Sequence, residues 1–276
     1  MCSYFSENNV CLLVMSDLAL RFGGIQRLYG VEAVNVFQKS HVCVVGIGGV
    51  GSWVAEALAR SAIGEITLID LDDVCVSNIN RQIHALDSTV GKMKVSVMAE
   101  RILQINPECK VHVVEDFITR DNLFEYLSTD MNCVVDAIDS IKPKAALIAH
   151  CKRQKIPVIT IGGAGGQKDP TQIKVADLNR TSQDPLAAKV RSELRRFYNF
   201  SRNPKRRYSV ECVHSSEQQV YPKPDGSVCQ QKSFEDGTTR LDCASGFGAA
   251  TVVTATFGFV AVSRVLEKLI KKAASD

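Results

Sequence analysis

Short unbroken apolar runs alternate with stretches of helical period through most of the chain. Residues 16–40 predict one or two helices, with "RFGG" as a break between them. A buried strand is expected at 42–45, an amphipathic helix at 52–61 and a second strand at 65–70. A helix over 92–105 is stopped by Asn106-Pro107. A third strand, "KVHVVED", precedes a short helix at 121–127; a fourth, "CVVDAID", precedes a helix at 142–154; "PVITIG" is the fifth. This alternation predicts an α/β fold, a doubly wound and mostly parallel sheet with right-handed crossovers.

After Gly162 the rhythm changes. "GGAGGQKDPTQIKVADL" reads as a glycine-rich loop and a strand of different pairing, followed by a basic helix over 189–200. Residues 203–240 are rich in Pro, Gly, Ser and charge, with short strands such as "RYSVECV", and a long helix closes the chain. The expected organisation is a helical segment over 1–40, a nucleotide-binding core over 41–165, and a mixed C-terminal extension of the same domain over 166–276.

The final helix raises a question of environment. The 21 residues from Cys243 to Ser263, "CASGFGAATVVTATFGFVAVS", carry no charge, which is long enough to span a bilayer. Their Gly, Ala and Thr content and the basic positions that follow favour a helix buried against the sheet. Membrane association through 243–263 is the alternative expectation. Composition otherwise suits a globular chain: 45% hydrophobic, 23% charged, net charge +3. Ten cysteines occur without one CxxC pair, which speaks against a zinc cage and for free thiols in a reducing cytoplasm. The apolar run at 10–15 lacks the basic flank and length of a secretion signal.

Candidate chemistry gathers after the first strand. Gly46, Gly48 and Gly51 form GxGxxG, with Gly49 in the same turn. That spacing serves a tight turn, close approach of backbone to phosphate, and helix–sheet packing. Asp70 is placed for ribose hydroxyls. Asp72, Asn78 and Arg81 lie in the following loop, Lys94 in the first turn of the next helix, and Asp139 at the end of the fourth strand. Cations beside phosphates and an acid able to hold Mg²⁺ suit phosphoryl or nucleotidyl transfer and are superfluous for hydride transfer. Each residue also has a plainer reading: Lys94 a solvated helix position, Arg81 a structural link, Asp139 a helix cap.

"GIGGVG", "LIDLDDVCVSNINRQ", "VGKMK", "INP" and "DAID", in this order, resemble the ubiquitin-activating-enzyme-like superfamily of adenylating enzymes. The resemblance implies ATP as co-substrate, with Asp70 on the ribose, Asn78, Arg81 and Lys94 on the triphosphate, and Asp139 on magnesium. The "RxxRQ" motif that lends an arginine across a dimer is replaced by "RFGGIQRLYG", so Arg21 and Arg27 both stand as candidates for that catalytic role. "NRQIHAL", "IGGAGGQKDPTQI", "QDPLAAKVR", "VYPKPDGSVC" and the uncharged C-terminal stretch extend the resemblance to the tRNA threonylcarbamoyladenosine dehydratases over nearly the whole chain. That family implies adenylation of the threonyl carboxylate of N6-threonylcarbamoyladenosine at tRNA position 37, then cyclisation to an oxazolone with loss of AMP. It further implies a homodimer and an association with a cysteine-desulfurase system. A monovalent cation is a candidate for ordering the glycine-rich loops.

Eight basic residues between 189 and 207 are opposed only by Glu193: Lys189, Arg191, Arg195, Arg196, Arg202, Lys205, Arg206 and Arg207. With Phe197, Tyr198 and Tyr208 interleaved, they form a candidate tRNA surface; a solvated helix face is the plainer account. Cys243 is a candidate nucleophile or a packing residue, and Cys212 and Cys229 a candidate pair. His84 is a candidate active-site contact or a structural histidine. The alternative activity is adenylation of a ubiquitin-like sulfur carrier, against which the missing zinc cysteines and the basic stretch both count.

Overall fold

The computed structural model describes residues 17–223, 225–230 and 247–274. Helices α1 (Asp17–Tyr29) and α2 (Val31–Gln38) lead into β1 (His41–Val45). The break between the two helices falls at Gly30, which has φ +89°, and α1 runs unbroken through "RFGG". A glycine inside a helix costs only about 1 kcal/mol, whereas a left-handed backbone ends one. There follow α3 (Gly51–Arg60), β2 (Glu65–Ile69), α4 (Lys94–Ile105), β3 (Lys110–Val114), α5 (Leu123–Tyr126), β4 (Cys133–Asp136), α6 (Ile141–Gln154) and β5 (Val158–Ile161). The chain continues through β6 (Ile173–Asp177), α7 (Pro185–Phe197), β7 (Glu211–Ser215) and α8 (Thr251–Ala273).

One seven-stranded sheet runs in the order β3-β2-β1-β4-β5-β7-β6. Every pairing is parallel except β6 with β7. Strand alternation divides the core into two layers. Val42, Val44, Ile66 and Leu68 face α3, α4 and α8; Cys43, Val45, Ile69 and Val134 face α6 and α7. Cys43 and Cys133 are fully buried, and burial raises both thiols, Cys133 to about 12. They are small core residues.

The expectation of membrane association is corrected here. Among the described residues no helix is long and apolar enough to cross a membrane. The uncharged stretch covers only the first part of α8, whose Val253, Phe257, Ala261 and Val265 are buried in the core. Gly258 allows α8 to press on α3: a Cβ there would stand 3.0 Å from that of Trp53. Further along, Arg264 and Lys268 reach Glu211 at 2.8 and 2.7 Å. The apolar stripe is spent on the sheet. Cys243 lies outside the described residues.

Candidate active site

β1 has β2 on one side and β4 on the other, so the crevice beyond its carboxyl end is the switch point where ligands bind in such sheets. Gly46 turns the chain there with φ +87°, close against the Ala137 carbonyl. Gly51 is tighter still, since a Cβ would lie 1.7 Å from the Gly46 carbonyl oxygen. Ser52 N donates to Gly48 O and Val54 N to Val50 O. The amides of residues 48–51 precede that ladder, at the positive end of the α3 dipole. This is a built anion cradle.

Asp70 follows β2 and is buried. Its carboxylate accepts from Ile47 N at 2.6 Å and from Asp72 N at 2.9 Å, which fixes the phosphate turn against the acidic loop. Burial raises its pKa, while those two amides and nearby Lys94 oppose the shift. Lys94, buried at the first turn of α4, places its ammonium 2.7 Å from Asp72. Asn78 is buried and accepts from Cys75 N at 3.1 Å. The half-buried Arg81 lies over Gly49, where a Cβ would be 3.4 Å from its Cγ and Cδ, and donates to Ser77 O at 2.7 Å.

The Arg81 loop is held by contacts that no motif announces. Trp53 Nε1 donates to Arg81 O at 3.0 Å, Thr251 Oγ1 to Asn80 O at 2.6 Å, and Asn80 Nδ2 to Ala249 O at 2.8 Å. One acid stands elsewhere than the sequence predicts. β4 ends at Asp136, so Asp139 lies three residues beyond the strand, exposed in the loop whose Ala137 touches Gly46. Asp136 itself is buried, 3.0 Å from the Lys144 ammonium and accepting from Thr160 Oγ1 at 2.6 Å. Burial pushes its pKa up, with Lys144 and Thr160 pulling the other way. An aspartate and a lysine eight positions apart carry no motif that would have announced the pair.

Of the other candidates, Arg21 lies away from the crevice. Arg21 pairs with Asp17 at 2.6 Å and reaches the carbonyls of Gln104 and Ile105, at the far end of α4 from Lys94. Twelve helical residues put about 18 Å between those ends. Arg27 is exposed on α1. The basic set divides. Arg195 donates to Tyr208 Oη at 2.9 Å and Asn179 Oδ1 at 2.8 Å, and Arg191 is bonded to Thr181 Oγ1. Lys189, Arg196, Arg202, Lys205, Arg206 and Arg207 are exposed, while Tyr208 is buried and Phe197 is the exposed ring among the three aromatics. His84 is buried with neither ring nitrogen hydrogen-bonded, and burial, then Lys94 and Arg101, lower its pKa to about 4. Cys212 is a free thiol buried in β7, so it makes no disulfide with Cys229.

The sequence model of the ThiF family matches residues 24–275. The tRNA threonylcarbamoyladenosine dehydratase of Escherichia coli is 63% identical over 95% of this chain and 98% of its own. The crystal structure of an E. coli tRNA N6-threonylcarbamoyladenosine dehydratase with ATP covers 96% of this chain at 55% identity and TM-score 0.84, and is itself covered in full. Its complex with AMP matches over 95% of this chain, with the same TM-score, 0.84, and 56% identity. The chain belongs to the ThiF family, in the branch that holds the tRNA threonylcarbamoyladenosine dehydratases.

Proposed function

We propose that this chain is an ATP-dependent dehydratase acting on N6-threonylcarbamoyladenosine at position 37 of tRNA. The observation that carries the reading is an anion cradle flanked by Lys94 and Arg81, in a chain 63% identical to such an enzyme along almost its whole length. The threonyl carboxylate attacks the α-phosphorus of ATP and pyrophosphate leaves. The ureido group of the same nucleoside then attacks the activated carbon, the oxazolone ring closes, and AMP departs with the carboxylate oxygen. The net change is loss of one water. Nucleophile and electrophile share one nucleoside, so holding it in a closed conformer supplies much of the second step.

The residues of this chain divide the first step. The turn amides of 48–51 and the α3 dipole neutralise charge that grows on the phosphates. Lys94 is held by Asp72 so that its ammonium need not be reorganised when the nucleotide arrives. Arg81, braced by Trp53 and Thr251, is the second cation. Asp70 orients the turn and retains acceptor capacity for ribose hydroxyls. Asp139, exposed beside the cradle, fits a hard divalent ion and would hold Mg²⁺, which shields the pyrophosphate leaving group when bound. Gln167 Oε1 and Gln219 Oε1 are buried without a partner among the described residues. Their amide nitrogens bond Gly163 O and Gly165 O. Orphaned carbonyl-type oxygens suit a monovalent cation ordering the glycine-rich loop.

The remote position of Arg21 supports a homodimer in which such an arginine serves the partner's crevice. Contact with a cysteine-desulfurase system is a proposal resting on the resemblance alone. The exposed basic residues would hold tRNA phosphates.

The test is mass analysis of position 37 nucleosides after incubating modified tRNA with the protein and ATP-Mg, handled gently to keep the ring closed. Loss of one water, dependent on ATP and matched by AMP release, is expected. AMP release that requires a carrier protein's C-terminus and ignores tRNA would replace this reading with sulfur-carrier adenylation.

A further inference from the structure

The amino edge of the sheet carries a cluster that adenylation does not use. His41 opens β1, Glu65 opens β2, and His112 is the third residue of β3. The strands are adjacent and parallel, with His41 opposite Glu65 and Thr67 opposite His112. Alternation places all four side chains on the face shared with Cys43. Neighbouring strands lie about 4.8 Å apart, so three adjacent strands bring three donors together, His112 reaching Glu65 diagonally from the next row. Glu65 Oε1 stands 2.8 Å from His112 Nε2 and 3.7 Å from His41 Nδ1. One ligand atom from each residue lies within 4.8 Å of the other two, the only such group of three or more among the described residues.

These spacings suit an ion. Bonds of about 2.0–2.1 Å to a tetrahedral centre put ligand atoms about 3.4 Å apart, a value between the two separations above. A second feature orients the set. His41 Nε2 is 2.8 Å from Thr67 Oγ1, and Thr67 is buried. With that nitrogen protonated and donating to the hydroxyl, the Nδ1 lone pair is left facing Glu65, as outer hydrogen bonds do for metal-bound imidazoles. The side chain of His112 is 51% exposed, so an ion can enter and keep water on its open positions. Two imidazoles and one carboxylate form a donor set for zinc-like divalent ions.

We propose that His41, Glu65 and His112 bind a divalent transition-metal cation that straps edge strand β3 to β2 and β1. His41 and Gly46 are five residues apart, about 16 Å along an extended strand. The ion therefore stands clear of the nucleotide crevice, and its binding is separable from catalysis.

Cobalt(II) titration of the purified full-length protein, followed by visible absorption and thermal melting, tests this. The wild type takes up a single equivalent with d–d bands and no thiolate-to-cobalt charge-transfer band, and its melting temperature rises. His112→Ala and Glu65→Gln each weaken uptake at least about tenfold and lose the melting shift, while AMP release with ATP-Mg in buffer free of transition metals is unchanged. Cobalt affinity of His112→Ala equal to wild type, a thiolate band in the wild type, or no d–d spectrum at millimolar cobalt would each overturn the proposal. The AMP assay tells this failure apart from any failure of the dehydratase reading.

Discussion

Replacing Lys94 by Met removes a charge while keeping most of the buried stem. The ammonium sits 2.7 Å from Asp72, whose side chain is 53% exposed. Solvent screening limits such a pair to at most about 1 kcal/mol of stability, and Met refills the space, so the variant should melt within a few degrees of wild type. The effect on rate is of another order. A positioned donor facing charge that develops in the transition state contributes about 3–4 kcal/mol, or about 10²–10³ in rate. Single-turnover AMP release with modified tRNA should fall by that factor at saturating ATP. Asp72→Asn keeps the cation but loosens it, and should cost about tenfold, roughly 1.4 kcal/mol. In the double variant the Asp72 substitution should add nothing, because its action passes through Lys94. Lys94→Met turning over within threefold of wild type, or additive losses in the double variant, would refute this account of the site.

Asp139→Asn should raise the Mg²⁺ concentration needed for half-maximal AMP release without changing the melting temperature; an unchanged Mg²⁺ titration would remove Asp139 from the site. Reversing Arg196, Arg206 and Arg207 to Glu should raise the tRNA KM and flatten its salt dependence, read by binding across a salt series. Arg195→Ala should instead lower stability by about 1–3 kcal/mol, since it deprives Tyr208 and Asn179 of a partner, and denaturant unfolding reports it. His84, lowered from 6.5 to about 4, stays neutral in the fold while the unfolded chain takes a proton. Stability should therefore decline as pH falls below 6.5, by about 3 kcal/mol at pH 4, and His84→Gln should flatten that decline in pH-dependent denaturant melts.

What could be read from the chain follows from range. The glycine turn and Asp70 are legible because close backbone approach tolerates few residue types, and their spacing is fixed by one strand and one turn. Lys94 is legible because the apolar period of its helix and the Asn106-Pro107 stop locate that helix from local sequence. Arg191 and Arg195 show the opposite case. Counting charge cannot tell which guanidiniums are committed to Thr181, Asn179 and Tyr208. "DAID" offers two acids, and only pairing of Asp136 with Thr160 across β5 decides which one is buried. The uncharged C-terminal stretch was ambiguous because hydropathy cannot distinguish a lipid neighbour from a β-sheet. His41, Glu65 and His112 come from three separate strands, and no motif spans them.

The loop that carries Arg81 is fastened to chain made much later. Asn80 bonds Ala249 and Thr251 at sequence separations of 169 and 171, and Thr254 reaches Arg81 O at a separation of 173. Strands and helices that emerge early from the ribosome can associate as they appear, but this fastening must await the final segment. A chain that has not yet reached α8 would own the glycine turn yet hold the Arg81 loop by Trp53 alone, so full bracing of the second cation waits for α8.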